Sequence, residues 1–294
     1  MTLIKHVLKP NVNSINYAVQ NAIIKVENKQ KVKGKSLEEP AYAAALAIEF
    51  PNLMNARKRF SNISFGGCFI HKKPKVEFLG NNKCELGDVL VLLRKQTRDD
   101  IRYNAALIQL KKGKKSPAKL PKNDIQLYLY ENWPLFTLSS TKKQYDIYPK
   151  TVSQGGMYGI IQERPAPQIY ISEPIRRMAF PNEMKVARFI FDAMNWQTGR
   201  AISDADNRDS DEWSSLIWDL LQHAINDSFT LNSVGYNMSP QYSGNFASFV
   251  KEELGVDIGI PTEGGHDQED VDDIKEGFAI LIIDVDNREV ELME

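Results

Sequence analysis

Three polar residues near the middle of the chain have the types and the spacing to carry chemistry. Asp88 stands just before an apolar run, Val89 to Leu93, and Gln109 and Lys111 stand two residues apart at the end of a second run. Side chains alternate across a strand, so Gln109 and Lys111 share one face while Leu110 points into the opposite layer. Packing gives a buried strand no reason to place an amide and an ammonium on one face. A site that holds a metal ion and a phosphate group does.

Two neighbouring strands are needed to position these residues. The runs Val89 to Leu93 and Ala105 to Leu110 are rich in β-forming residues and too short for helices. A charged, turn-prone connection, Arg94 to Asn104, separates them. This pattern predicts a strand pair joined by a hairpin-like link.

A helix is predicted upstream of the strand pair. Ser36, with Glu39 three residues later, forms a capping-box pattern, and Pro40 is tolerated in a first turn. The segment AYAAALAIEF continues the helix until Pro51 interrupts it, and Asn52 to Phe60 is either a continuation or a second short helix.

The remaining elements of the first half complete a layered fold. Ser64 to Leu79 is typical of strand, turn and strand; Asp124 caps a helix that ends at Pro134; and Tyr145 to Tyr148 is a closing strand. The order helix, strands, helix, strand predicts an α/β/α sandwich with a central mixed sheet.

The C-terminal region is predicted to be mixed α+β. Asn182 and Asp211 cap two helices, a third ends at Gly255, and Phe278 to Val285 is a buried strand. Gly- and Pro-bearing segments near residues 150–168 favour two domains, residues 1–155 and 156–294, although the same segment is also compatible with an excursion within one domain.

Charge is distributed unevenly along the chain. Residues 1–150 hold 27 Lys and Arg against 12 Asp and Glu, a net charge of +15, whereas residues 151–294 hold 10 against 26, a net charge of −16. A basic half indicates a polyanion partner such as nucleic acid, or else a lysine-rich surface without specific use. The acidic half would repel nucleic acid and would shield the basic half, bind a partner or simply be solvated.

Several classes of protein are disfavoured by the sequence. No apolar run approaches the roughly 20 residues that cross a bilayer, and the N-terminus lacks the apolar core of a signal peptide. Cys68 and Cys84 form neither a zinc pattern nor a disulfide framework, and no P-loop, GxSxG or Gly-rich dinucleotide turn is present. We therefore expect a cytoplasmic protein without membrane association.

The arrangement resembles the PD-(D/E)xK, or restriction-endonuclease-like, nucleases. The resemblance rests on Gly87-Asp88 before one strand and Gln109-Leu110-Lys111 on the next, and it covers roughly residues 30–150. Gln109 stands where an acid is commoner. The resemblance implies a restriction-endonuclease-like α/β/α core in the first half.

It also implies a metal site for Mg²⁺ or Mn²⁺. Asp88 and Glu39 would supply carboxylates, the Gln109 and Leu110 carbonyls would complete the ligands, and Lys111 would orient the attacking water. Because the first core helix of these nucleases often supplies an acid, Glu49 is an alternative to Glu39, and Glu77 is held in reserve. Glu39 and Glu49 lie about 15 Å apart along a helix, so both cannot serve one ion. Glu39 is favoured, because a helix N-terminus can also approach a phosphate.

The function implied by the resemblance is metal-dependent hydrolysis of double-stranded DNA. Five lysines are predicted to contact phosphates: Lys72, Lys73, Lys112, Lys114 and Lys115. The layout, a nuclease half with an acidic accessory half, resembles effector nucleases of bacterial anti-phage defence, which implies a regulatory protein partner or a homo-oligomer. The alternative is a non-catalytic nucleic-acid-binding or assembly subunit with a degenerate nuclease-like core. The sequence does not distinguish DNA from RNA as the substrate.

Overall fold

The structure of the chain is a computed structural model. It describes residues 10–32, 37–57, 62–80, 82–113, 124–150, 155–163, 167–173, 184–233, 241–258 and 277–288. The helices of this part of the chain are α1 (Val12–Val32), α2 (Glu39–Ala44), α3 (Phe50–Asn55), α4 (Ile125–Asn132), α5 (Val186–Met194), α6 (Glu212–Ser233) and α7 (Phe246–Leu254). A π-helical turn, Ala45–Glu49, joins α2 to α3, and a 3₁₀ turn spans Arg208–Ser210.

The strands lie in two sheets. Their bounds are β1 (Ile63–Ile70), β2 (Lys75–Phe78), β3 (Asn82–Glu85), β4 (Val89–Gln96), β5 (Ile101–Lys112), β6 (Phe136–Leu138), β7 (Gln144–Tyr145), β8 (Gly156–Gln162), β9 (Gln168–Ser172), β10 (Met184–Lys185), β11 (Arg200–Ile202), β12 (Gln241–Gly244) and β13 (Phe278–Asp286). The large sheet has the order β10-β9-β8-β5-β4-β13-β1-β12, with β11 paired to β5. The small sheet has the order β3-β2-β6-β7.

The predicted strand pair forms the centre of the large sheet. β4 and β5 are antiparallel, with Val89 opposite Ile108 and Gln96 opposite Ile101. β13 is parallel to β4 and β8 is parallel to β5, while the other pairs are antiparallel. The sheet is therefore mixed, as the sequence predicted, and the apolar runs are its buried strands.

Helices cover both faces of the large sheet. On one face, α1, α2, α3 and α5 bury side chains against the sheet residues Val89, Val91, Ile108 and Leu110. On the other face, α4, α6, α7 and the small sheet enclose Leu90, Leu92, Tyr103 and Leu107. This is an α/β fold of the sandwich type. Within the described residues, no helix combines the length and the apolar character needed to cross a bilayer.

The two predicted domains share this sheet. β8, β9 and β13 follow residue 155 in sequence, yet they pair directly with β5 and β4. The apolar cores on both faces also draw residues from both halves of the chain. The division into residues 1–155 and 156–294 is therefore corrected: it runs through one sheet and does not separate two cores. The alternative of an excursion within one domain matches the structure.

The helix continues past Pro51, which is one of the two alternatives that the sequence left open. Pro51 has no N–H to donate to the carbonyl of Ala47, four residues earlier. The hydroxyl of Ser243, from β12, donates to that carbonyl at 2.6 Å instead. Gly67 on β1 lies so close that a Cβ there would be 2.0 Å from the same oxygen. A tertiary contact thus satisfies the backbone group that the proline leaves without a donor.

The predicted helix ends are largely confirmed. Asp124 accepts a hydrogen bond from the Leu127 amide at 2.9 Å, and Asp211 accepts one from the Ser214 amide at 3.0 Å. Gly255 ends α7 with a positive φ of 67°. Ser36 and Asn182 lie outside the described residues. The expected closing strand at Tyr145 to Tyr148 is β7, which ends at Tyr145 and belongs to the small sheet.

Candidate functional site

Asp88 is fixed at the point where β4 begins and β5 continues past it. Its backbone amide donates to the Ile108 carbonyl, and its carbonyl accepts from the Ala279 amide, both at 2.9 Å, so neighbouring strands hold it on both sides. Its side chain is fully buried. The turn before it is held by the hydroxyl of Tyr130, which donates to the Leu86 carbonyl at 2.6 Å. The carboxylate therefore has a fixed direction, toward the end of β5.

One oxygen of Asp88 is saturated by hydrogen bonds from β5. Oδ2 accepts from the Leu110 backbone amide at 2.6 Å and from the side-chain amide of Gln109. Gln109 is itself oriented by Gln126 of α4, whose Nε2 donates to Gln109 Oε1 at 2.8 Å. The Gln109 oxygen is thus turned toward α4, and the expectation that it ligates a metal is at odds with this geometry. Gln109 instead orients Asp88.

The other oxygen faces a buried ammonium. Lys73 Nζ lies 2.9 Å from Asp88 Oδ1 and donates a hydrogen bond to Glu85 Oε2 at 2.7 Å. Asp88 Oδ1 is buried, so its contact with the Lys73 ammonium is a buried ion pair. We call Lys73, Glu85, Asp88, Gln109 and Gln126 the Asp88 cluster.

Burial and charge shift the ionisation of this pair. Burial raises the pKa of Asp88 above its ordinary value, and the ammonium of Lys73 and the Leu110 amide offset only part of that rise. Burial lowers the pKa of Lys73, but the carboxylates of Asp88 and Glu85 outweigh it and raise that pKa overall. Lys73 is thus held as a cation in the interior by the two carboxylates.

The end of β5 carries a second carboxylate. Glu39, at the start of α2, accepts a hydrogen bond from the Lys112 backbone amide at 2.9 Å through Oε1. The Leu110 and Lys112 amides lie on the same edge of β5, two residues apart, so the Asp88 and Glu39 carboxylates are roughly 7 Å apart along it. The Leu110 carbonyl lies on this edge between the two amides.

Lys111 lies at this end of the strand as well. Strand alternation places its side chain on the face of Gln109, and the residue is partly exposed. Its charge acts to lower the pKa of Cys84, which burial raises overall to about 12. The Lys111 side chain therefore lies on the side of the sheet that carries Gln109 and the Asp88 cluster, whereas the Leu110 side chain is buried in the opposite layer, as predicted.

The structure separates the candidate acids. Glu49 lies in the π-helical turn and binds Lys25 and Lys29 of α1 at 2.6 and 2.9 Å, away from the end of β5. Glu77 lies on β2 in the small sheet, 3.4 Å from the Lys83 ammonium. Of the three acids weighed from the sequence, Glu39 is the one at the edge that carries Leu110.

The lysines predicted to contact phosphates differ in their surroundings. Lys73 is buried in the Asp88 cluster, which is at odds with a phosphate contact. The Lys112 ammonium lies 3.1 Å from Glu163 and 3.7 Å from Glu38, so it is compensated by carboxylates. Lys72 is exposed. Lys114 and Lys115 lie outside the described residues.

Sequence reasoning missed the roles of Lys73, Glu85 and Gln126. The sequence does not fix the rotation of α4, so it could not show that Gln126 faces Gln109. The position of Lys73 depends on the path of the chain between β1, which belongs to the large sheet, and β2, which belongs to the small sheet. The adjacency of Asp88 and Gln109, in contrast, follows from the antiparallel register of two predictable strands.

The oxygens at this edge are of the kind that a hard divalent cation binds. Asp88 Oδ1, the Leu110 carbonyl and the Glu39 carboxylate are oxygen ligands of the type that Mg²⁺ and Mn²⁺ prefer, while Lys73 faces Asp88 Oδ1 and Gln109 donates to the Leu110 carbonyl at 3.3 Å. Within the described residues, no group of three or more His, Cys, Asp or Glu side chains has the geometry of a metal site. Such an ion would therefore depend on a backbone carbonyl and on water as well as on the two carboxylates.

Comparisons with protein-family models, with curated proteins and with solved structures return no match for this chain.

Proposed function

We propose that this protein is a metal-dependent endonuclease that hydrolyses DNA phosphodiester bonds, with its active site at the end of β5. The observation that supports this most is the placement of the Asp88 and Glu39 carboxylates on either side of the Leu110 carbonyl, with Lys111 next in sequence.

Different residues at the end of β5 would bind the metal and act on the phosphate. Asp88 Oδ1, Glu39 and the Leu110 carbonyl would hold Mg²⁺ or Mn²⁺. When bound, the metal would supply an activated water and stabilise charge on the phosphorus. Gln109 orients Asp88, and Lys111 would position the attacking water and offset negative charge that develops on the phosphate.

The basic first half of the chain would hold the nucleic acid by its phosphates. The net charge of +15 over residues 1–150 supports binding that weakens with salt and depends little on sequence. Lys72 remains a candidate contact, as do Lys114 and Lys115. A role in anti-phage defence, with a regulatory partner or a homo-oligomer, belongs to the same proposal and rests on the likeness of layout alone.

A second candidate function is that of a non-catalytic nucleic-acid-binding or assembly subunit. The pairing of Lys73 with Asp88 favours it, because an ammonium already compensates the carboxylate that a metal would need. The two candidates differ in one property: the endonuclease needs Asp88 and Lys111 for activity, whereas the binding protein needs neither to hold nucleic acid.

The test is a cleavage assay with the purified full chain, Mg²⁺ or Mn²⁺, and either supercoiled plasmid or an RNA transcript. We expect metal-dependent cleavage of the plasmid that falls by roughly 100-fold or more in Asp88→Asn and in Lys111→Met, since each removes a group that would act on the reacting phosphate. Lys251→Met is the matched control, because that lysine is 64% exposed and pairs with Asp257 at the surface. Equal cleavage by all four proteins contradicts the proposal, and cleavage of the RNA alone changes the substrate.

A further inference from the structure

We propose that Lys73 is an internal counter-ion for Asp88, which a divalent cation must displace before it can bind. The inference rests on the proposed metal-dependent function and adds a regulatory contact to that site. The ammonium is built into the interior of the fold, with a side chain only 6% exposed, and it contacts a carboxylate that is fully buried.

The position of Lys73 excludes simultaneous binding of a metal to Asp88. Oδ2 already accepts hydrogen bonds from Leu110 and Gln109, so Oδ1 is the oxygen left for a cation. Lys73 Nζ stands 2.9 Å from Oδ1. An ion bound to the same oxygen would lie within a few ångströms of a buried positive charge, where repulsion is only weakly screened. One of the two cations has to leave.

Glu85 provides the place to which Lys73 can move. Its Oε2 accepts a hydrogen bond from Lys73 at 2.7 Å, and its side chain is 28% exposed, whereas that of Asp88 is not exposed at all. Lys73 also lies in the link between β1 and β2 rather than inside a strand. The ammonium can therefore turn away from Asp88 while it keeps a carboxylate partner that reaches solvent.

The contact between Lys73 and Asp88 has two consequences for the proposed metal site. Without metal, the Asp88 carboxylate is compensated and the fold stays intact. Metal affinity is reduced, because binding has to break the contact between Lys73 and Asp88 first. The contact would thus raise the metal concentration that the site requires.

The first test measures the reactivity of lysines in the wild-type protein. The chain is labelled with an acylating reagent with and without millimolar Mn²⁺, and modification of each lysine is followed by peptide mass spectrometry. We expect Lys73 to react slowly without Mn²⁺ and at least severalfold faster with it. Lys72, which is adjacent in sequence and exposed, is the internal control and should not change.

The second test measures Mn²⁺ affinity from the electron paramagnetic resonance signal of free Mn²⁺. We expect Lys73→Met to bind Mn²⁺ about tenfold more tightly than wild type, while Lys73→Arg and the surface variant Lys251→Met bind as wild type does. Binding in each protein should be lost with Asp88→Asn. Circular dichroism checks folding, and if Lys73→Met does not fold, the labelling of the wild-type protein decides.

The outcomes separate this inference from the proposed function. The counter-ion role of Lys73 is contradicted if wild type and Lys73→Met bind Mn²⁺ with equal, Asp88-dependent affinity and the labelling of Lys73 does not change. That result would still support the metal site. The absence of Asp88-dependent Mn²⁺ binding in every variant overturns both. Tighter binding in Lys73→Met, with faster labelling of Lys73 in wild type, supports both.

Discussion

Gln109 adds no charge to the Asp88 cluster. Its amide donates to Asp88 Oδ2, so the carboxylate has a neutral neighbour where the resembled nucleases more often have an acid. The sequence was sufficient to place Gln109 beside Asp88, because both lie on strands with clear apolar runs. It could not show which end of the amide would face Asp88, since that depends on Gln126 and on the rotation of α4.

A charge at position 109 should make the fold depend on a cation. Gln109→Glu replaces a buried donor by a carboxylate next to Asp88, so we expect the free energy of unfolding to fall by about 2–4 kcal/mol without metal. Millimolar Mg²⁺ should recover more of that loss than it adds to wild type. Urea unfolding with and without Mg²⁺ measures this. Gln144→Glu, at an exposed position on β7, is the control, and an equally small effect of both substitutions would contradict the account.

At the scale of elements, ion pairs connect helix α1 to the π-helical turn. Lys25 and Lys29 of α1 both donate to Glu49, whose side chain is only 7% exposed. The sequence predicted helical character for residues 41–50 and left open whether the helix continues past Pro51. It could not show that the helix continues, because the hydroxyl that satisfies the Ala47 carbonyl comes from Ser243, far along the chain.

The stability that these ion pairs contribute to the fold should depend on pH. Burial acts to raise the pKa of Glu49, but its hydrogen bonds from Lys25 and Lys29 outweigh burial and hold the pKa below its ordinary value. A carboxyl with a lowered folded pKa stabilises the fold above its unfolded pKa of about 4.3 and loses that effect as pH falls through the folded pKa. We therefore expect Glu49→Gln to cost about 1 kcal/mol at pH 7, because both lysines are partly exposed and screened.

Urea unfolding at pH 7 and at progressively lower pH measures this difference. The gap between wild type and Glu49→Gln should shrink below about pH 4.3. Glu77→Gln is the control, because that side chain is 38% exposed and pairs at 3.4 Å. A gap that stays constant with pH would mean that the charge of Glu49 does not stabilise the fold.

At the scale of the whole molecule, the two halves of the chain are held together by one sheet. β13, from the end of the chain, lies between β4 and β1. The sequence predicted β13 as a buried strand but not its neighbours, because strand order depends on pairings across nearly 200 residues. The change in charge near residue 150 therefore falls within one fold and does not mark a boundary between two, a distinction that composition alone cannot make.

Arg94 joins these halves, and its loss should be costly. The guanidinium is 5% exposed and binds Asp284 of β13 at 2.7 Å and Glu252 and Glu253 of α7 at 2.7 and 2.6 Å. Arg94→Met would remove the cation shared by three carboxylates, of which Glu253 and Asp284 are largely buried, so we expect a loss of about 3–5 kcal/mol in the free energy of unfolding. Arg102→Met is the matched control: its pair with Asp100 is exposed, and we expect a change within about 0.5 kcal/mol. Equal losses in urea unfolding would contradict this view of Arg94.

The central claim is that the end of β5 holds a divalent cation for phosphodiester hydrolysis. The most direct measurement is anomalous diffraction from crystals of the protein soaked in Mn²⁺. We expect an anomalous peak within coordination distance of Asp88 Oδ1 and the Leu110 carbonyl, on the side where Glu39 lies. Lys73 should then contact Glu85 and no longer contact Asp88. Crystals that show no Mn²⁺ at this edge, with Lys73 still paired to Asp88, would contradict it.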